Sequence, residues 1–261
     1  MQLRVRAELV YGFQAATQVR ASIEAALSAD QTVISESLTA GGDQPLVRDF
    51  DEATGQRQFR TSLSGEAAII YEAVVDNGER APLPHGAREH LWSELPLDCL
   101  PYLLPSRFCP SDKFMRFAQR EFSGLSDGGA KVHAVLDWLH EHVDYVAGVS
   151  TAETTAERTF VDRAGVCRDF THLGITLCRS LNIPARAVSA YAWKLAPPDF
   201  HAIFEVYLGG QWWLVDPTRL SPVEGIVRIA CGRDAADIAF MTTSQNCDCR
   251  KVAISVELAQ P

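Results

Sequence analysis

Over roughly the first 80 residues, apolar positions recur every second residue. Leu3, Val5, Ala7 and Leu9 alternate with Gln2, Arg4, Arg6 and Glu8, the pattern of a strand with one buried and one wetted face. Similar segments follow at Gln18–Ala26, Thr32–Thr39, Arg57–Leu63 and Ala67–Val75, with turn residues at Gly41-Gly42-Asp43 and Asp76-Asn77-Gly78. Residues 1–80 therefore form an N-terminal antiparallel β module. Prolines at 82, 84, 96, 101, 105 and 110 forbid interior helix or central strand, so residues 81–110 are a connector.

The period then lengthens to that of a helix. Ser111 caps a segment carrying Phe114, Phe117, Ala118 and Phe122, and Ala130–Val143 puts Val132, Val135, Leu136, Leu139 and Val143 on one face. A short helix from Thr154 or Thr155 to Arg163 is expected to end at Gly165. Cys167-Arg168-Asp169 opens another, with Phe170, Leu173, Gly174, Leu177 and Leu181 at helical spacing and Asn182-Ile183-Pro184 stopping it. Strand-like runs follow at Ala185–Trp193, His201–Leu208, Trp212–Val215, Ile226–Cys231 and Lys251–Leu258. The expected class is α+β, with residues 111–261 forming a core of helices on an antiparallel sheet.

Composition narrows the function. At 261 residues and 47% hydrophobic, the chain can bury a sizeable core. A net charge of −9 without a basic cluster excludes a nucleic-acid partner. No apolar run reaches the ~18 to 20 residues of a membrane span. The start, Met1 to Arg6, lacks a signal peptide's apolar stretch, and seven cysteines without framework spacing indicate reduced thiols, so a cytoplasmic location is expected.

A thiol is nucleophilic as thiolate, and a helix N-terminus favours the anion. Cys167 occupies such a position, its backbone N–H is a candidate oxyanion donor, and Gly165 is expected to leave room for a substrate carbonyl. If Gly209-Gly210 is a two-residue hairpin turn, paired positions sum to 419, His201 faces Thr218, and Asp216 shares the face of His201 within hydrogen-bonding reach. The same register puts Phe204, Val206, Trp213 and Val215 on the opposite, apolar face. Glu205 lies ~13 Å along the strand from His201, too far to orient it. His172, ~140° around the helix from Cys167, is a packed or surface histidine. Asp169 satisfies free N–H groups in the first turn.

The ordered set of Gly-Val-Cys-Arg-Asp helix start, Ile-Pro-Ala-Arg turn, His-Ala strand and Asp-Pro-Thr strand end resembles the bacterial transglutaminase-like superfamily, which shares papain-like chemistry. Val143-Asp144-Tyr145-Val146, Thr154-Thr155-Ala156 and Gly232-Arg233-Asp234-Ala235-Ala236-Asp237 extend the likeness. It implies Cys167 as nucleophile, His201 as general base and acid, and Asp216 as the group orienting the imidazole. Ile203 after His-Ala and Ala190-Tyr191 depart from the family pattern and bear on the substrate pocket. Tyr145, a phenol ahead of the cysteine, is the candidate second oxyanion donor, with a core or rim tyrosine as the alternative. The expected activity is cysteine-dependent hydrolysis of a protein or peptide substrate through a thioester, with acyl transfer to an amine or a non-catalytic peptide-binding module as alternatives. No cofactor is implied. Cys231, Cys247 and Cys249 lack the spacing of a four-ligand zinc site, and a thiol pair open to oxidation is the milder alternative there. The Trp193–Phe200 loop is a candidate cleft cover.

Overall fold

The computed structural model describes residues 1–41 and 44–259. Two very long strands, β1 (Gln2–Ala21) and β4 (Arg57–Asp76), pair antiparallel from Gln2↔Asp76 to Ala21↔Phe59. Segments that the sequence pattern separates are thus halves of single strands, joined through an irregularity between Phe13 and Thr17 opposite Gly65. Gly65 has φ +65°, a conformation open to glycine at no steric cost. The alternation does what it predicts: Leu3, Val5, Ala7 and Leu9 are buried, as are Ile69, Tyr71, Ala73 and Val75 facing the same core. β2 (Thr32–Ala40) and β3 (Val47–Phe50) pair with β4. Of the expected Gly41-Gly42-Asp43 turn, Gly42 and Asp43 lie outside the described residues.

The second half contains α1 (Met115–Phe122), α2 (Gly128–His142), β5 (Asp144–Tyr145), α3 (Ala156–Asp162), β6 (Ala164–Gly165) and α4 (Cys167–Ser180). β7 (Ala185–Ala192), β8 (Phe200–Leu208), β9 (Gln211–Val215) and β10 (Ile226–Gly232) then form an antiparallel sheet in the order β10-β7-β8-β9. α4 packs on this sheet, and Gly174 makes the close approach: a Cβ there would lie 2.7 Å from Phe204 Cε1. The β8–β9 turn has the expected register, Leu208↔Gln211 through Phe204↔Val215, with positive φ at both Gly209 and Gly210.

Two expectations change. The last strands, β11 (Met241–Thr243) and β12 (Asp248–Leu258), join the first sheet on the free edge of β1, although the sequence pattern assigned them to the core of residues 111–261. A 20-residue strand leaves a long row of backbone donors and acceptors on each edge, and the returning chain pairs one of them. α3 ends at Arg163 in the left-handed conformation (φ 56°), two residues before Gly165, which is already paired in β6.

The halves share a continuous core. Tyr71 and Tyr191 stack at 6.3 Å, Tyr191 donates to Ile23 O at 2.6 Å, and Asn77 Nδ2 donates to Ile226 O at 3.0 Å. Glu205, fully buried, holds Arg186 at 2.7 Å, and its other oxygen takes Arg228 Nε at 2.7 Å. Burial opposes its charge, but the two guanidiniums outweigh it and hold the carboxyl below the usual range. The connector closes over the back of the hairpin, with Leu95, Cys99 and Leu103 packed against Tyr207 and Trp212. No helix among the described residues is long and apolar enough to cross a membrane.

Candidate active site

Three elements bring the predicted residues together. Cys167 is the first residue of α4, and its side chain stays partly exposed. Asp169 makes that helix start: its Oδ2 accepts the Val166 N–H at 2.9 Å, reaching back from the third helical position. Gly165 has a different job from the one expected of it. A Cβ there would sit 2.7 Å from Asp169 Cβ, so glycine makes room for the capping carboxylate, not for a substrate.

β8 supplies His201 and the strand end after β9 supplies Asp216, both almost wholly buried. Nε2 of His201 lies 2.9 Å from Asp216 Oδ2, as the two-residue turn predicts. An ionised carboxylate only accepts, so Nε2 carries the proton and Nδ1 is left for Cys167. Asp216 is saturated. Its Oδ1 accepts the Thr218 N–H (2.9 Å) and hydroxyl (2.7 Å), and its Oδ2 also accepts the Ser221 N–H at 3.0 Å. Burial opposes its charge, but the bond to and charge of His201, with the Thr218 donors, outweigh it and hold the carboxyl below its ordinary range. Burial disfavours the imidazolium, but the bond to Asp216 and the neighbouring Cys167 sulfur more than compensate and raise His201 to about 9.

Tyr145 is brought in by the short parallel pair β5–β6. Tyr145 sits opposite Gly165, and the Val146 N–H donates to Gly165 O at 2.9 Å, which places the phenol beside the start of α4. Partial burial and the neighbouring Cys167 sulfur push its hydroxyl up to about 12. The ring leans on Phe170 at 5.9 Å. Arg168 ties the following loop to the same helix, donating to Thr151 O at 2.6 Å.

The rejected candidates sit elsewhere. Glu205 serves the guanidinium pair described above. His172 is buried against Phe108 (5.0 Å, parallel rings), and its Nε2 accepts the Ala235 N–H at 3.1 Å. Cys231 is buried on β10, Cys247 is partly buried and Cys249 exposed, and no group of three or more His, Cys, Asp or Glu side chains gathers among the described residues. Thr218, Ser221 and Arg168 were missed from the sequence. Thr218 had a local signal, because a hydroxyl two residues after an aspartate commonly closes a turn on that carboxylate. Ser221 and Arg168 act across loops and had none.

The fold and site define an α+β protein in which a helix-start cysteine faces a histidine–aspartate pair on a sheet. The model of the transglutaminase-like superfamily matches residues 116–217. A solved protein of Cytophaga hutchinsonii, proposed to be a cysteine protease, is 35% identical with a TM-score of 0.92, over 100% of this chain and 91% of that one. The chain belongs to the transglutaminase-like superfamily. An uncharacterized Mycobacterium leprae protein is 27% identical over 146 residues, 52% of each chain, so the chain spans about half the length of that curated relative. The periplasmic domain of TgpA from Pseudomonas aeruginosa is a fainter likeness, 18% identical with a TM-score of 0.45 over 85% of this chain and 91% of that one.

Proposed function

We propose that the chain is a cysteine-dependent hydrolase of peptide or amide bonds, working through a thioester on Cys167. The observation that carries this reading is buried His201 bonded to the Asp216 carboxylate at 2.9 Å, a bond that with the nearby Cys167 sulfur raises the imidazole to about 9. An imidazole so placed is protonated at neutral pH and stabilises a thiolate beside it.

The Cys167 thiolate attacks the carbonyl carbon, and the oxyanion takes hydrogen bonds from the Cys167 N–H and the Tyr145 hydroxyl. Collapse breaks the C–N bond while the His201 imidazolium gives its Nδ1 proton to the leaving amine. Neutral His201 then takes a proton from water as the water attacks the thioester, releasing the carboxylic acid and restoring the thiolate–imidazolium pair. Asp216 keeps Nε2 protonated and the ring aimed throughout.

The test is incubation with a peptide library, with and without an added primary amine, followed by mass spectrometry of products and of Cys167. Hydrolysis predicts cleaved peptides, a transient acyl adduct on Cys167 and products indifferent to amine. Amide products in place of acids would convert the reading to acyl transfer. Binding of peptides with no adduct and no product would make the groove a binding module.

A further inference from the structure

We propose that Asp199 gives this cleft a charge preference, holding a cationic group, a lysine or arginine side chain, on the leaving-group side of the cut amide. The inference rests on the Cys167–His201 chemistry above and names the class of substrate that site takes.

Asp199 immediately precedes β8, two residues before His201. Along extended chain, residues two apart point the same way about 7 Å from one another, so Asp199 continues the row of His201 from the buried site to its mouth. Its Oδ1 accepts the Phe200 N–H at 2.7 Å, which fixes the carboxylate, and this is its one hydrogen bond among the described residues. The loop behind it is pinned where Ser221 Oγ donates to Trp193 O at 2.9 Å. The Asp199 charge also adds, least among several causes, to the raised value of the Tyr145 phenol.

Cations of the flanking segments make contacts of their own. Lys194 lies over Trp193 at 4.1 Å, Arg107 over Phe108 at 4.9 Å, and Arg168 holds Thr151 O and Asp169. Asp199 is exposed and takes part in no ion pair among the described residues. Because His201 delivers its proton to the departing amine, that fragment leaves on the His201 side, where Asp199 stands. A cation there gains a partner that an anion would find repulsive.

Methanethiosulfonates carrying a trimethylammonium or a sulfonate arm read this field directly on the full chain. The thiolate attacks the sulfur bearing the arm, an S–S bond forms, and methanesulfinate leaves with the electron pair. In low salt, Asp199→Asn lowers the cationic-to-anionic rate ratio at Cys167 about tenfold, and Asp199→Lys lowers it further. In the peptide library, bonds cut by the wild type are enriched in Lys or Arg just after the cut, and Asp199→Asn removes that enrichment. A ratio that Asp199→Asn leaves unchanged, or cuts without such enrichment, overturns the inference while the hydrolase reading stands. Failure of Cys167 to react even with the neutral methyl reagent at mildly acidic pH overturns both.

Discussion

Asp216→Asn is the perturbation that most sharply separates a charged His201–Asp216 pair from a merely hydrogen-bonded one. The carboxylate accepts four hydrogen bonds, two per oxygen, from Thr218, His201 and Ser221. Asparagine has one acceptor oxygen, so its NH2 must face donors on one side, and the negative charge disappears. His201 then keeps its burial and loses its main compensation, so its pKa falls from about 9 to the unperturbed 6.5 or below. That change corresponds to about 3 kcal/mol at 1.4 kcal/mol per tenfold. At pH 7.5 the imidazolium population drops from about 97% to about 9% or less, so protonation alone slows iodoacetamide alkylation of Cys167 about tenfold or more. The assay is NMR of imidazole 13Cε1 from pH 5 to 10, with His201 assigned among seven histidines by His201→Gln. A midpoint near 9 retained in Asp216→Asn, or one near 6.5 in the wild type, refutes the ion-pair reasoning.

The same pair links stability to pH. Because the folded pKa of His201 lies above the unfolded value, its stabilisation is complete below about 6.5 and is lost as pH climbs through about 9, which denaturant midpoints across that window will register. Tyr145→Phe removes one oxyanion donor and should lower turnover about 10- to 100-fold while Cys167 alkylation stays within about twofold, since alkylation forms no oxyanion. Glu205→Gln leaves Arg186 and Arg228 facing an uncharged partner in the core and should cost about 3–5 kcal/mol by chemical denaturation. Gly174→Ala pushes α4 from Phe204 and so separates Cys167 from His201; it should cost about 1–3 kcal/mol and slow alkylation more than unfolding explains.

Much of the site was legible because its geometry is local. The two-glycine turn fixes a register, and a register fixes which of His201, Glu205 and Asp216 can meet; the paired positions end at Phe204↔Val215, and the 2.9 Å bond forms just beyond them on the face the register assigns. The helix start was legible for the same reason, through the spacing of Cys167 and Asp169. What remained hidden depends on long-range pairing. That β12 returns to β1 across more than 200 residues, with Leu3 opposite Leu258, leaves no mark in either segment beyond alternation shared by every strand. Gly165 was assigned to the substrate because the sequence shows a missing side chain and not what fills its place, and Asp169 fills it. The segments within β1 and β4 were read as separate because small and polar residues such as Ala15-Ala16-Thr17 and Ser64-Gly65-Glu66 interrupt the period where a bulge absorbs them.

The most direct test of the thiolate–imidazolium site is limited iodoacetamide labelling near pH 5.5, read by mass spectrometry over all seven cysteines. Exposed Cys249 serves as the internal reference thiol. Stoichiometric labelling at Cys167, absent in Cys167→Ala and strongly slowed in His201→Ala, is the predicted result. Labelling of Cys167 no faster than Cys249, and indifferent to His201→Ala, would contradict it.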